Sequence, residues 1–452
     1  MTISVHFIVD LPKYHPMERY ALPHGFPIVV IEETQQIHEH VLLFQITLRL
    51  ARGKRYWKLN TTLAEAYDLR DWFDFLAHKT WIDPETQTNK IGKPWDLANE
   101  QDYIDYSNTL QYIVSGATKT FLKNSTIARR QNAVTRFYQF ASEKGWYKGV
   151  FLRTKITKGR TIAIDSQELA HTVSGRIETQ RSPHNVPVEY GEPIRPLTAL
   201  QWQLIRSELG CLPSEGEENP RRSRDRLACE LAIATGLRVD EVASLTVTQI
   251  FSLDVEWRRL SEDERDTGYI KLLVTKTKRL KPRNVLVPAY LVPEFIAYIE
   301  RERSEAVAQG RRHAKNKSIA FNDPKAFFVN HANAGINAGH GIAPESLSRA
   351  FHNACIDAGI VMSAEKIDEE TREPFIVTVA AHHFHDLRHT FSVWKYHAEV
   401  RKGNPEPWKE IQILLGHASL KITMDTYLAV VDIEKRRAGA QQYVAKKNMG
   451  EI

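Results

Sequence analysis

The chain has 452 residues, long for one domain at roughly 100–200 residues each, so two or three domains are expected. Its 42% hydrophobic and 10% aromatic content suffices for packed cores, and a formal charge of +6 with a pI near 9.0 permits a nucleic-acid partner without requiring one. Cys211, Cys229 and Cys355 form no CxxC pair, against a disulfide framework or thiolate zinc site, and no run approaches the ~18 apolar residues of a membrane span. With no signal-peptide pattern at the start, these features predict a soluble protein of a reducing, cytoplasmic compartment.

Residues 1–56 hold β-leaning runs at 3–9 and 27–32 and an apolar stretch at 41–50. They carry no nameable chemistry and read as an extension of unknown role or a small accessory domain. From 57 to 153 the pattern is helical. In TTLAEAYDLRDWFDFLAH, Leu63, Tyr67, Leu69, Phe73 and Leu76 fall near one face. In STIARRQNAVTRFYQFASEKG, Ser125 is the predicted N-cap, Ile127, Val134, Phe137 and Ala141 the apolar stripe, and Gly145 the closing residue. Arg129, Arg130 and Arg136 lie off that stripe, placed to meet phosphates, although alone they fit an ordinary solvated basic face. Residues 154–195, basic and then proline-rich, read as a linker.

From 196 onward the chain reads as mostly helical with a small hairpin. LTALQWQLIRSEL predicts a helix and SEGEENPRRSRD an exposed loop. RLACELAIAT predicts a helix that Gly236 ends, and RVDEVASL resumes helically with Val239, Val242 and Leu245 inward. GYIKLLVTKTK and RNVLVPAY read as two strands joined by the basic turn RLKP. LVPEFIAYIERERSEAVAQ predicts a helix before a polar loop, AFFVNHANAG a short strand into a turn, and ESLSRAFHNACIDAG another helix.

The chemistry concentrates near the end. In HHFHDLRHTFSVW, Phe384, Leu387, Phe391 and Trp394 recur as the buried seam of a helix, which puts His385, Arg388, His389 and Ser392 on the adjacent stripe. Arginine grips phosphate oxygens bidentately, and a neighbouring histidine can donate a hydrogen bond or move a proton near neutral pH. Two blander readings compete: hydrogen-bonded structural histidines, or a metal site among His382, His383, His385 and His389. No acidic residue follows in the HExxH manner, so no metal is expected. In LLGHASLKITMDTYLAV, Gly416 is a turn residue before His417, and Leu420, Met424, Tyr427 and Val431 share a helical face. Tyr427 is then either a core tyrosine or a rigidly held nucleophile. A phenol of pKa about 10 needs cationic neighbours to ionise near neutrality.

GLRVDEVASL, the lysine in VTKTKRLKPRNVLVP, HDLRHTF and LLGHASLKITMDTY occur in that order. Together they resemble the signature of the tyrosine recombinases, the phage-integrase family, over about 196–440. STIARRQNAVTRFYQFASEKG resembles the last long helix of that family's core-binding domain. The resemblance implies a mainly α fold: a helical core-binding, DNA-clamping domain at 57–153, a mixed α+β catalytic domain at 196–440, mostly helical with a small β-hairpin, and a tail at 441–452. It implies Arg238 and Arg388 as catalytic arginines, Glu241 as the brace of the first, and Lys276 as catalytic lysine with Lys278 its competitor. His385 and His417 are the implied histidines, and Tyr427 the nucleophile that forms a 3′-phosphotyrosine link. The implied reaction needs no cofactor and joins double-stranded DNA recombination sites in a homotetramer, with accessory proteins an option. It belongs in the bacterial cytoplasm and nucleoid. Departures are the two-proline connection VRKGNPEPW and the long insert GRRHAKNKSIAFND. Rival readings are a non-cutting DNA-binding protein on the same fold, a metal-dependent hydrolase, and a type IB topoisomerase-like enzyme.

Overall fold

A computed structural model describes residues 2–8, 22–56, 58–151, 194–215, 223–276, 282–417, 419–428 and 430–431, with the side chains of 52–56 excepted. The fold is mainly α with small two- and three-stranded sheets, and divides into two compact units. No described helix is long and apolar enough to cross a membrane.

The first unit comprises Met1–Gly191 with Glu365–Phe375. β1 (Ile3–Phe7) pairs antiparallel with β2 (Pro27–Ile31), and β3 (Gln36–Ile37) adds to β2. α1 (Glu39–Tyr56), α2 (Leu59–His78), the β4 (Thr80–Ile82)–β5 (Asn89–Ile91) pair, α3 (Glu100–Gln111) and α4 (Asn124–Glu143) follow. Ile3, Val29, Val41 and Phe44 share one buried core with Trp72, Phe137 and Tyr138, so residues 1–56 pack as part of this unit.

α4 buries Ile127, Val134, Phe137 and Ala141, and Gly145 lies beyond its end at φ +71°. The helix begins at Asn124 with Lys123 extended before it, so the expected cap Ser125 sits inside the first turn. On α2 the buried face runs through Glu65, Asp68, Leu69, Trp72, Phe73 and Leu76, and Tyr67, expected inside, is exposed. A pattern of apolar residues alone misplaces this stripe because two of its members are acids. They are buried because α4 supplies arginines: Arg129 to Asp68 at 2.5 Å, Arg136 to Glu65 at 2.8 Å, and Arg130 to neighbouring Asp71 at 2.6 Å. Burial still pushes the Asp68 carboxyl up to about 6, against Arg129 and Arg130.

The second unit comprises Glu192–Ala364 and Ile376–Ile452. Its helices begin with α5 (Ala199–Glu208), α6 (Ser223–Thr235), α7 (Val239–Ala243), α8 (Val247–Trp257) and α9 (Glu262–Thr267). β6 (Tyr269–Val274) pairs antiparallel with β7 (Arg283–Pro288), Val274 opposite Arg283. α10 (Leu291–Tyr298) runs through a wide turn at Ile299–Arg303 into α11 (Ser304–Asn316), and α12 (Pro344–Asp357) follows. A second strand pair, β8 (Val361–Ile367) and β9 (Pro374–Ala380), leads to α13 (Phe384–Arg401), α14 (Pro407–Leu415) and a helix over 420–431, α15.

Leu227, Leu231, Val285, Phe295, Phe351, Phe384 and Leu387 belong to one buried core, and Tyr427 packs in a smaller cluster with Val393, Ile411, Leu415 and Val431. Three expectations change. α11 continues through GRRHAKN, where a polar loop was expected, because a helix with one solvent face needs few apolar residues there. AFFVNHANAG makes isolated bridges, Thr246 with Ala326 and Val329 with Gly341, while Phe327 and Phe328 fill the core. Trp394, assigned to the buried seam, is exposed, and Val393 and Tyr396 are inside instead. The basic turn at 279–282 falls mainly outside the described residues. So do Lys278, most of the 154–195 linker, most of the loop 214–225 and the tail at 441–452.

Candidate active site

The site is built around Arg388. His383 caps α13, its N–H donating to Asp386 Oδ2 at 2.9 Å, and Phe384 and Leu387 anchor the first turn in the core. That phasing turns Arg388 inward, where it is 1% exposed. Its Nη1 donates to Gly236 O at 2.6 Å and its Nη2 to Leu415 O at 2.8 Å. Both carbonyls stand at helix C-termini, of α6 and α14, where unpaired acceptors and the negative dipole end favour a cation. Gly236 and Gly416 close those helices at φ +69° and +67°. A Cβ on Gly236 would stand 2.5 Å from Phe391 Cδ1, and one on Gly416 2.8 Å from Arg283 Cδ. Glycine is therefore required at both by conformation and by space.

Burial lowers the Arg388 pKa to about 9, helped by Arg238 and opposed by Tyr427 and Glu241. The guanidinium stays charged at neutral pH.

Arg238 precedes α7. Its backbone N–H donates to Glu241 Oε2 at 2.9 Å, and its Nη1 lies 3.3 Å from Glu241 Oε1. The same carboxylate receives Arg283 of β7 through Nη1 at 2.8 Å and Nη2 at 2.7 Å, and Arg283 Nε donates to Leu414 O at 2.9 Å. Glu241 thus braces Arg238 as the sequence suggested, but Arg283 holds Glu241 and was not foreseen. At the start of a strand, nothing in its spacing separates it from a surface arginine.

Tyr427 projects from α15 and is 1% exposed. His389 Nδ1 lies 3.2 Å from its hydroxyl oxygen, and the His417 ring lies parallel to the phenol, centroids 6.4 Å apart. Burial raises the phenol pKa, against the pull of Ser392, Arg388 and Arg238. His417 Nε2 is 3.3 Å from Arg388 Nη2, and its Nδ1 is 2.9 Å from Thr423 Oγ1. Because arginine only donates, Nε2 is the acceptor and Nδ1 carries the hydrogen of the neutral ring.

Arg238, Glu241, Arg388, His417 and Tyr427 are therefore gathered together. His385 is exposed, its ring edge-on to His389 at 4.8 Å. Lys276, just past β6, is exposed and makes no hydrogen bond or ion pair with any described residue. Arg129, Arg130 and Arg136 lie in the first unit on the α2 carboxylates. The crowded histidines diverge: His382 Nδ1 is buried 3.5 Å from Asp386 Oδ2, His383 caps α13, and His389 turns to Tyr427. Among the described residues no group of three or more His, Cys, Asp or Glu side chains is placed to hold a metal ion.

Two arginines, a brace, two histidines and a buried tyrosine in a mainly helical unit define a site for handling a phosphodiester. The chain belongs to the phage integrase family, whose family description matches residues 207–433, half of the chain and all of this cluster. It is 28% identical over 169 residues to the tyrosine recombinase XerA of Thermococcus kodakarensis, covering 37% of this chain and 51% of that protein. It is 25% identical over 220 residues to a XerC-like tyrosine recombinase of Caldanaerobacter subterraneus, covering 46% of each. The chain thus spans about half the length of these relatives. Among solved structures it is similar to the XerH site-specific recombinase bound to palindromic difH substrate, with 13% identity, TM-score 0.46, and 84% and 80% of the two chains covered. It is also similar to a lambda integrase dimer bound to a COC′ core site, with 13% identity, TM-score 0.44, and 86% and 94% covered.

Proposed function

We propose that the protein is a site-specific DNA recombinase that cuts and rejoins strands through a 3′-phosphotyrosine intermediate, integrating, excising or resolving DNA elements. The observation that carries this is the Tyr427 hydroxyl, held rigidly inside a cluster whose charges are the Arg388 and Arg238 guanidiniums. Family membership and the tyrosine recombinases among the relatives agree with it.

Tyr427 attacks the scissile phosphorus and a 5′-hydroxyl leaves. Arg238 and Arg388 hold the non-bridging oxygens and offset the charge that grows in the transition state. Lys276 protonates the leaving oxygen, reaching the site from its exposed position when DNA is bound. His385 and His417 donate to the phosphate or carry protons. The phosphotyrosine conserves the bond energy, so a second 5′-hydroxyl rejoins the strand without metal, nucleotide or cofactor. The partners are double-stranded DNA sites in a homotetramer, with accessory proteins where the site demands them, in the bacterial cytoplasm and nucleoid. The helical unit clamps the duplex, with Arg129, Arg130 and Arg136 among its phosphate contacts.

The test is incubation with a nicked duplex pool of randomised sequence in EDTA. A denaturation-resistant protein–DNA adduct is expected, and none from Tyr427→Phe. No adduct on any duplex points to a binding protein, cleavage abolished by EDTA to a hydrolase, and relaxation without strand exchange to a topoisomerase.

A further inference from the structure

We propose that His389 takes the proton from Tyr427 as its oxygen attacks DNA, and returns it when the strand is rejoined. This rests on the recombinase reading above. His389 follows Arg388 directly on α13 and faces the phenol, Nδ1 3.2 Å from the hydroxyl oxygen, ring centroids 5.5 Å apart. His385, one turn earlier, touches His389 and not Tyr427 among the ring contacts of the described residues.

The inventory of donors and acceptors fixes where the phenolic hydrogen goes. The Arg388 guanidinium has only N–H groups and accepts nothing. Ser392 spends its hydroxyl hydrogen on Arg388 O at 2.9 Å. The hydrogen of Tyr427 therefore has the Ser392 oxygen and His389 Nδ1 as acceptors. Of these two, only an imidazole can keep a proton near neutral pH.

The ring is ready to accept. Burial first, then His385 and Arg388, hold its pKa at about 4 against the Asp386 carboxylate, so it is neutral at pH 7. A phosphodiester arriving between Arg238 and Arg388 adds negative charge beside the ring, which raises its basicity when substrate is present.

In cleavage, the Tyr427 O–H bond breaks and its proton passes to His389 Nδ1 while the tyrosyl O–P bond forms. The P–O5′ bond breaks with its electron pair on O5′, which takes a proton from Lys276 or solvent. In rejoining, a 5′-hydroxyl loses its proton to that same acceptor, its oxygen bonds to phosphorus, and His389 protonates the departing tyrosyl oxygen.

The experiment uses the full chain, a duplex selected by adduct formation from the nicked random pool, and the same duplex with sulfur in place of the scissile O5′. A sulfur leaving group needs no proton, so it relieves a defect in the leaving step and not one in activating the nucleophile. His389→Gln keeps a hydrogen-bond acceptor beside Tyr427 but cannot carry the proton. We expect it to bind the duplex as wild type does and to form adduct ~10²–10⁴-fold more slowly on both substrates. A wild-type rate, or a defect relieved by sulfur, overturns the role of His389. A second readout needs no DNA. In protein with 15N-labelled histidine, Nδ1 of His389, assigned by its loss in His389→Gln, is expected to lack a hydrogen, and an Nδ1–H overturns the proposal. Wild type that forms no adduct on any duplex overturns the recombinase reading itself, and this inference with it.

Discussion

Arg283 and Glu241 form a buried, two-point ion pair, Nη1 and Nη2 of the guanidinium lying 2.8 and 2.7 Å from the two carboxylate oxygens. Through it the first residue of β7 fixes the carboxylate that receives the Arg238 backbone N–H and side chain. Arg283 also holds the end of α14 through Leu414 O, two residues before His417 is reached past Gly416. One arginine therefore ties together the hairpin, the first catalytic arginine and the turn that carries His417.

Arg283→Ala is expected to cost about 3–5 kcal/mol, because it leaves Glu241 charged and buried without its main partner. Urea unfolding measures this. Burial raises the Glu241 carboxyl, but hydrogen bonds and charge from Arg283, with those of Arg238, hold it below the usual carboxylate range. A depressed carboxylate contributes stability that is present above its unfolded pKa of about 4.3 and is lost as pH falls through the folded value. Glu241→Gln should therefore remove the part of the acid-side loss that lies below about pH 4.3. An unchanged slope there would show that other carboxylates carry it.

His331 titrates in the opposite sense. Burial lowers its pKa, but Asp225 and Glu302 outweigh it and hold the ring above its ordinary value, with His331 Nδ1 2.8 Å from Glu302 Oε1. Its stabilisation is complete below an unfolded pKa of about 6.5 and disappears as pH rises through the higher folded value. Urea midpoints of the wild type should fall between neutral and mildly alkaline pH, and His331→Gln should flatten that decline.

Two helix-closing glycines make a graded test. Gly145 has φ +71° and open space around it, so Gly145→Ala should cost only the left-handed penalty of about 1–2 kcal/mol and leave DNA cleavage intact. Gly236 has φ +69°, a methyl added there would stand 2.5 Å from Phe391 Cδ1, and its carbonyl receives Arg388. Gly236→Ala should cost about 1–3 kcal/mol more and slow cleavage as well. Equal unfolding midpoints for the two variants would show that the α6 end yields to the methyl.

The helical elements near Tyr427, and the gathering of Arg238, Arg388, His417 and Tyr427, are legible because short motifs fix each residue on a helix end or face. Gly236 and Gly416 are readable for the same reason, as turn residues directly beside a functional group. Arg283 is hidden because its meaning lies in Glu241, 42 positions away, and no local spacing encodes that distance. His389 was visible on the right stripe, but its partner is set by the docking of α15, which no motif within α13 specifies. The α2 stripe was misplaced because Glu65 and Asp68 are buried by arginines of a different helix. β8 and β9 were missed because a mostly exposed strand pair has no apolar run to announce it.

The α4 arginines carry the last prediction. All three are paired to carboxylates, but Arg129 and Arg136 keep 47% and 40% of their side chains exposed, while Arg130 keeps 17%. An exposed guanidinium has free N–H groups to turn to a phosphate while its inner edge stays on the acid. Each phosphate contact adds about 0.9 to the slope of log affinity against log salt. Arg129→Ala and Arg136→Ala are each expected to reduce that slope by about 0.9 on duplex DNA, read by fluorescence anisotropy across a salt series. Arg130→Ala should leave the slope unchanged and instead lose roughly 0.5–3 kcal/mol of stability, because Asp71 loses its close partner at 2.6 Å. If all three slopes equal the wild type, these arginines serve only the packing of α4 on α2, and the clamp's phosphate contacts lie on other residues.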